Sequence, residues 1–180
     1  RQIQSGNTLS KMDGLWSLTS TDVEGFTFAL ESQNRNAMGD VLIIGAGATA
    51  RAVIAACGGV SHSVSVINRN LDRELAIRNS SPHLVVDFLS WGSSINFNKY
   101  DLVVNTTPGE TAALFVDQVT ATSATFFEVL YSPWPTLLLS KWRESGGHGI
   151  DGLDLLIHQA ISQIEIFSTS SIDRAGVAKM

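Results

Sequence analysis

Hydrophobic and polar positions alternate in blocks along this chain. Short runs of aliphatic residues are followed by segments whose apolar positions recur every three or four residues. Val41-Leu42-Ile43-Ile44 is the cleanest run, and four consecutive apolar residues ending at a glycine predict a strand buried on both faces. Alanine-rich Ala48 to Cys57 predicts a helix, and Ser63 to Ile67 a second strand that completes a βαβ unit. Further runs at Leu84-Val85-Val86, Leu102-Val103-Val104 and Thr125 to Val129 extend the series, while the polar stretch between the first two of these carries no period. Thr136 to Glu144 is predicted helical, before a break at Gly146-Gly147-His148-Gly149. The final helix is the clearest, because Leu153, Leu156, Ile157, Ala160, Ile161, Ile164 and Phe167 fall at steps of three and four. This alternation of strand and helix predicts an α/β fold with a doubly wound, mostly parallel sheet and helices on both faces.

The chain ahead of this series is less regular. Arg1 to Leu9 is strand-like, Ser10 to Trp16 reads as a turn around Asp13-Gly14, and Leu18 begins or ends another short strand. Thr21 and Glu24 have capping-box spacing, with Phe26, Ala29 and Leu30 at helical intervals behind them, so a helix is expected to start at Thr21. Gln33 to Asp40 is a polar linker.

The loop between the first strand and helix of the βαβ unit is G-x-G-x-x-A, from Gly45 through Ala46, Gly47, Ala48 and Thr49 to Ala50. In a Rossmann-like fold each small residue has a reason: Gly45 for the tight turn, Gly47 for close approach of a pyrophosphate, Ala50 for close helix packing. An NAD site wants an acid about 20 residues further on, to accept from the ribose 2′-hydroxyl. Asn68-Arg69-Asn70 stands there instead, with Asn68 following Gly47 by 21 positions. The planar, always-charged fork of Arg69 suits a 2′-phosphate, so NADP(H) is expected over NAD. An arginine merely solvated in a turn is the alternative.

Composition narrows the picture modestly. A chain of 180 residues that is 44% hydrophobic can hold one full domain and part of another. The net charge of −5 argues against nucleic acid or an anionic membrane as partner. No run reaches transmembrane length or reads as a signal peptide. The lone Cys57 sits among apolar helix positions as a small buried side chain, and a reducing cytoplasm is expected. Four histidines show no metal-ligand spacing, so each is expected at the surface or satisfied and no metal is expected.

Seven segments in order resemble the shikimate dehydrogenase family. Asn7-Thr8-Leu9 is similar to its G-A-V-N-T-L, and Ser20 to Phe26 to its N-T-D-x-x-G-F with serine for asparagine. The glycine loop resembles G-A-G-G-A-A-R-A, and Asn68-Arg69-Asn70 resembles the N-R-T linked with NADP. Asn105 to Gly109 is close to N-A-T-P-x-G, one residue short; Glu128 to Pro133 resembles D-x-x-Y-x-P; Gly152 to Ala160 resembles G-x-x-M-L-x-x-Q-A.

The resemblance implies reversible, NADPH-dependent reduction of 3-dehydroshikimate to shikimate in aromatic amino-acid biosynthesis. It implies a substrate domain represented by residues 1–21 and 151–180, with a linking helix and nucleotide domain at 22–150. Asp22 then matches an acid/base aspartate, Asn7 and Gln159 match contacts to substrate hydroxyls, and Tyr131 matches a cleft tyrosine. The glycine loop, Asn68 to Asn70, Thr106, Thr107, Pro108 and Gly152 match cofactor contacts. The family's lysine, in an upstream N-x-T-x-P-x-K, has no counterpart at Lys11, Lys99, Lys141 or Lys179. The chain is therefore expected to be an amino-terminally truncated, inactive fragment whose partner is the missing segment. Its bare final helix is expected to drive self-association or to be partly disordered. A quinate-type enzyme and a non-catalytic NADP-binding module are the alternatives.

Overall fold

The computed structural model describes residues 3–35 and 38–177. The first two residues of the predicted initial strand and two of the polar linker lie outside them. A two-stranded hairpin opens the fold: β1 (Thr8–Met12) pairs antiparallel with β2 (Leu15–Thr19) around Asp13-Gly14. This corrects the expected turn over Ser10 to Trp16, most of which is strand. Helix α1 (Thr21–Ser32) follows, with Ser20 rather than Thr21 at its N-cap and no side-chain cap bond. The capping box fails because Thr21 turns its hydroxyl toward Asn7 and Gln159 instead.

The main sheet has six parallel strands. They are β3 (Asp40–Ile44), β4 (Ser63–Asn68), β5 (Val86–Ser90), β6 (Leu102–Asn105), β7 (Thr125–Glu128) and β8 (His148–Ile150), in spatial order β5-β4-β3-β6-β7-β8. Helices α2 (Ala48–Cys57), α3 (Glu74–Ser80), α4 (Leu137–Glu144), α5 (Gly152–Ser168) and α6 (Arg174–Val177) complete the set, with a longer 3₁₀ segment at Gly109–Gln118. Two expectations are corrected here. The break at Gly146 to Gly149 does follow the end of α4, but its second half, His148 and Gly149, opens the edge strand β8, whose backbone bonds to β7. The run at Leu84 begins its strand only at Val86, with Val85 exposed.

Strand pleating divides the core. Val41, Ile43, Val104 and Phe127 face one side, where they meet Phe26 and Leu30 of α1, Val53 and Ile54 of α2, and Leu155 of α5. Leu42, Ile44, Val103 and Phe126 face the other, against Phe115, Leu138 and Trp142. With side chains two apart on one face, a continuous apolar run is what a sheet covered on both sides requires. Among the described residues no helix is long and apolar enough to cross a membrane.

Helix α5 buries Leu155, His158, Ile161 and Ser162, and leaves Leu153, Leu156, Ile164 and Phe167 exposed. Ile161 thus belongs to the packed face rather than to the bare stripe. Leu9, Met12, Leu15, Trp16 and Leu18 of the hairpin are also exposed. Helices α1 and α5 cross closely at Gly25, where an added Cβ would lie 2.9 Å from Gln159 N and 3.0 Å from its Cα. For Gly25→Ala, helix propensity favours alanine by about 1 kcal/mol, but overpacking against backbone costs about 1–3 kcal/mol. A net loss of up to about 2 kcal/mol is expected in urea unfolding, and a raised midpoint would contradict this crossing.

Candidate functional site

The carboxyl ends of the parallel strands meet at the β3–β6 boundary, where the strand order reverses and a crevice must open. Gly45 has φ of +110°, and an added Cβ there would lie 2.5 Å from Thr106 Oγ1. Only glycine meets both demands. Gly47 is the N-cap of α2, and its missing Cβ would meet only Arg73 Nη1, at 3.9 Å, so the loop is open on its outer side. Ala50 is fully buried beneath the helix start, which keeps α2 tight on the sheet.

A cleft of about 220 Å³ lies over this crevice, lined by Gly45, Ala46, Asn68, Arg69, Asn70, Arg73, Trp91, Thr106, Thr107 and Pro108. The structure therefore brings together the glycine loop, the strand end bearing Asn68 to Asn70, and the loop after β6. None of the lining residues is acidic, and two are arginines. Asn68 is buried, yet neither its amide nitrogen nor its carbonyl oxygen has a partner. On the wall of a crevice, these two open polar atoms are available to a ligand as well as to water. Asn70 accepts from Asp72 N at 3.0 Å and so shapes the turn that delivers Arg73. The cleft fits a nucleotide with an extra anionic group.

A second polar cluster joins the hairpin, α1 and α5. The Asn7 amide donates to Asp22 Oδ1 at 2.9 Å and, more weakly, to Gln159 Oε1 at 3.4 Å. Asn7 Oδ1 in turn accepts from the Thr21 backbone at 2.9 Å. Gln163 donates to Thr8 Oγ1 at 3.1 Å, pinning the start of β1 to α5. Three residues separated by up to 152 positions in the chain thus share one hydrogen-bonded surface. Burial raises the Asp22 carboxyl above its ordinary value of 3.8, and the Asn7 amide offsets part of that. Among the described residues no lysine or arginine forms an ion pair with Asp22.

Between cleft and cluster, Glu128 is fully buried at the end of β7. Its carboxylate accepts from Asn105 Nδ2 at 3.0 Å, Thr136 Oγ1 at 2.8 Å and Leu130 N at 3.2 Å. Desolvation raises it above 4.5 despite these donors, and the Glu110 charge adds to the rise. Asn105, so oriented, accepts from Thr107 N at 3.1 Å and Thr107 Oγ1 at 2.7 Å.

The remaining candidates lie apart. Tyr131 is exposed on the loop beyond Glu128. Gly152 lies outside the cleft, pressed on the backbone after β7, where a Cβ would come within 2.6 Å of Leu130 O. His158 departs from expectation: it is buried with Nδ1 unpartnered, and burial followed by the Arg174 charge lowers its pKa. Arg73, Trp91 and Thr21 escaped the sequence reading. Arg73 had a signal, its four-residue spacing from Arg69, but Trp91 required the register of β5.

The strand order and the cleft at its carboxyl edge define a Rossmann-type dinucleotide domain. No family model matches the chain. The shikimate dehydrogenase (NADP(+)) of Thermosynechococcus vestitus is 32% identical over 176 residues, which cover 92% of this chain and 62% of the relative. Among solved structures, the shikimate dehydrogenase of Mycobacterium tuberculosis superposes with a TM-score of 0.86 at 27% identity, covering 99% of this chain and 67% of that one. Quinate dehydrogenase from Corynebacterium glutamicum in complex with NAD gives 0.80 at 27% identity, with the same coverage. Over nearly its whole length, then, the chain is similar to the carboxy-terminal part of shikimate dehydrogenases. It spans about three fifths of the length of the curated relatives it matches.

Because the fold raises the Asp22 pKa, it favours the protonated form. The contribution of Asp22 to stability is fully present below about pH 3.8 and is lost as pH rises through the raised value. Asp22→Asn is expected to remove that part of the fall and leave the parts due to Glu128 and Asp154, whose carboxyls burial also raises. Urea unfolding between about pH 3 and 7 checks this, and an unchanged slope would refute it.

Proposed function

We propose that this chain is the cofactor-binding, carboxy-terminal part of an NADP(H)-dependent shikimate dehydrogenase, acting on 3-dehydroshikimate and shikimate. The observation that carries the reading is one cleft holding Arg69, Arg73 and the unpartnered amide of Asn68, with no carboxylate among its lining residues. NADP(H), when bound, supplies or accepts the hydride. Gly45 to Ala50 would hold its pyrophosphate at the start of α2, with Gly47 giving the backbone room to approach. Asn68, Arg69, Asn70 and Arg73 would hold the adenosine ribose and its 2′-phosphate. Thr106, Thr107, Pro108 and Gly152 would border the nicotinamide end.

In this reading, the linked amides of Asn7 and Gln159 orient the substrate hydroxyls, and Tyr131 borders the same space. Asp22 holds or moves the proton on the substrate oxygen, a role that its desolvated carboxyl suits. Residues 1–21 and 151–180 belong to the substrate side, and 22–150 form the linking helix and nucleotide domain. The exposed apolar stripe of α5, with Leu153, Leu156 and Ile164, is the surface that meets the rest of a full-length relative. The buried, free Cys57, whose thiol burial pushes up to about 11, fits a reducing, cytoplasmic setting. The paired arginines speak against an NAD-selective quinate enzyme. The joining of Asn7, Asp22 and Gln159 speaks against a bare cofactor-binding module.

Arg69→Ala is expected to weaken NADPH binding by about 10- to 100-fold while leaving NADH binding nearly unchanged. Calorimetric titration of both nucleotides measures this, and equal affinities in the unmodified chain would overturn the cofactor reading. With no lysine paired to Asp22 among the described residues, the 180-residue chain is expected to bind NADPH yet barely turn over 3-dehydroshikimate. A rate near that of a full-length relative would defeat this second expectation.

A further inference from the structure

Arg69 is exposed, and among the described residues it makes no hydrogen bond or ion pair; its one recorded partner is the ring of Trp91, 5.3 Å from the guanidinium carbon. The meeting follows from strand register. Asn68 at the end of β4 sits opposite Ser90 at the end of β5, so the next residues out, Arg69 and Trp91, leave the sheet side by side. Trp91 is itself braced, edge-on, by Phe115 at 5.4 Å, and Phe115 is fully buried between the sheet and its outer helices.

We propose that Trp91 is a specificity-positioning residue for the 2′-phosphate of the cofactor. The proposal rests on the NADP(H) reading above. A guanidinium attracts an aromatic ring through its flat face, while its N–H donors lie in the plane and around the edge. A guanidinium held over the Trp91 ring keeps N–H donors free to grip an anion. An exposed arginine without such a platform samples many rotamers and must be ordered when the anion arrives. Trp91 orders it beforehand, in the cleft that Arg73 and the start of the glycine loop also line. Preorganisation of this kind sharpens discrimination between nucleotides that differ only by the 2′-phosphate, because both share every other contact.

The test uses 2′,5′-ADP and 5′-AMP as probes, with dissociation constants measured by calorimetry on the full 180-residue chain. Trp91→Leu keeps apolar bulk against Phe115 but removes the cation-attracting ring; Trp91→Phe keeps a ring. The unmodified chain is expected to prefer 2′,5′-ADP, and Trp91→Leu to shrink that preference over 5′-AMP by about five- to tenfold. Trp91→Phe is expected to restore most of the preference, which a loss of packing alone would not do. A preference that survives in Trp91→Leu, or an equal loss for both probes, overturns the role of Trp91 and leaves the cofactor reading standing. Equal affinities in the unmodified chain overturn both.

Discussion

A carboxylate without a counter-cation among the described residues organises the carboxyl edge of this sheet. Glu128 is fully buried, and its charge is held by an amide, a hydroxyl and a backbone N–H rather than by an arginine or lysine. Such an arrangement is costly to desolvate but strict in geometry, since every donor must arrive from a different element. Asn105 brings in β6, Leu130 the loop after β7, and Thr136 the start of α4. Because Asn105 spends its amide on Glu128, its carbonyl is left to fix Thr107, and with it the rim of the cofactor cleft.

The cleft and the polar cluster depend on this edge in different ways. At the cleft, the sheet supplies backbone: Gly45 turns out of β3 in a conformation suited to glycine, and Thr106 fills the space a side chain would need. At the cluster, helices supply side chains, and Gly25 lets α1 and α5 approach until Asn7 can reach both Asp22 and Gln159. Oxidoreductase chemistry of the family's kind needs both, a place for a dinucleotide and a polar surface that handles a proton.

Much of this was legible in the residues because local physics decided it. Ala48 to Cys57 forms the helix expected, with identical bounds, since small residues beside a glycine loop leave little alternative. The doubly wound sheet followed from apolar runs that only two-sided burial explains. What escaped was decided by tertiary contact. β8 is three residues of His-Gly-Ile whose strand character comes from pairing with β7 rather than from propensity. Thr21 had the spacing of a cap, but a partner 138 positions away claimed its hydroxyl. Arg73 and Trp91 join the cleft only through a turn shaped by Asn70 and a strand register hidden in a polar stretch.

Helix α5 also acts as a ruler. Its first residue, Gly152, is pressed against the backbone after β7, and Gln159 projects into the polar cluster seven positions later. At a rise of about 1.5 Å per residue, that fixes roughly 10 Å along the helix axis between the backbone after β7 and the amide of Gln159. The offset between the carboxyl edge of the sheet and the polar cluster is therefore written into the pitch of a single rod.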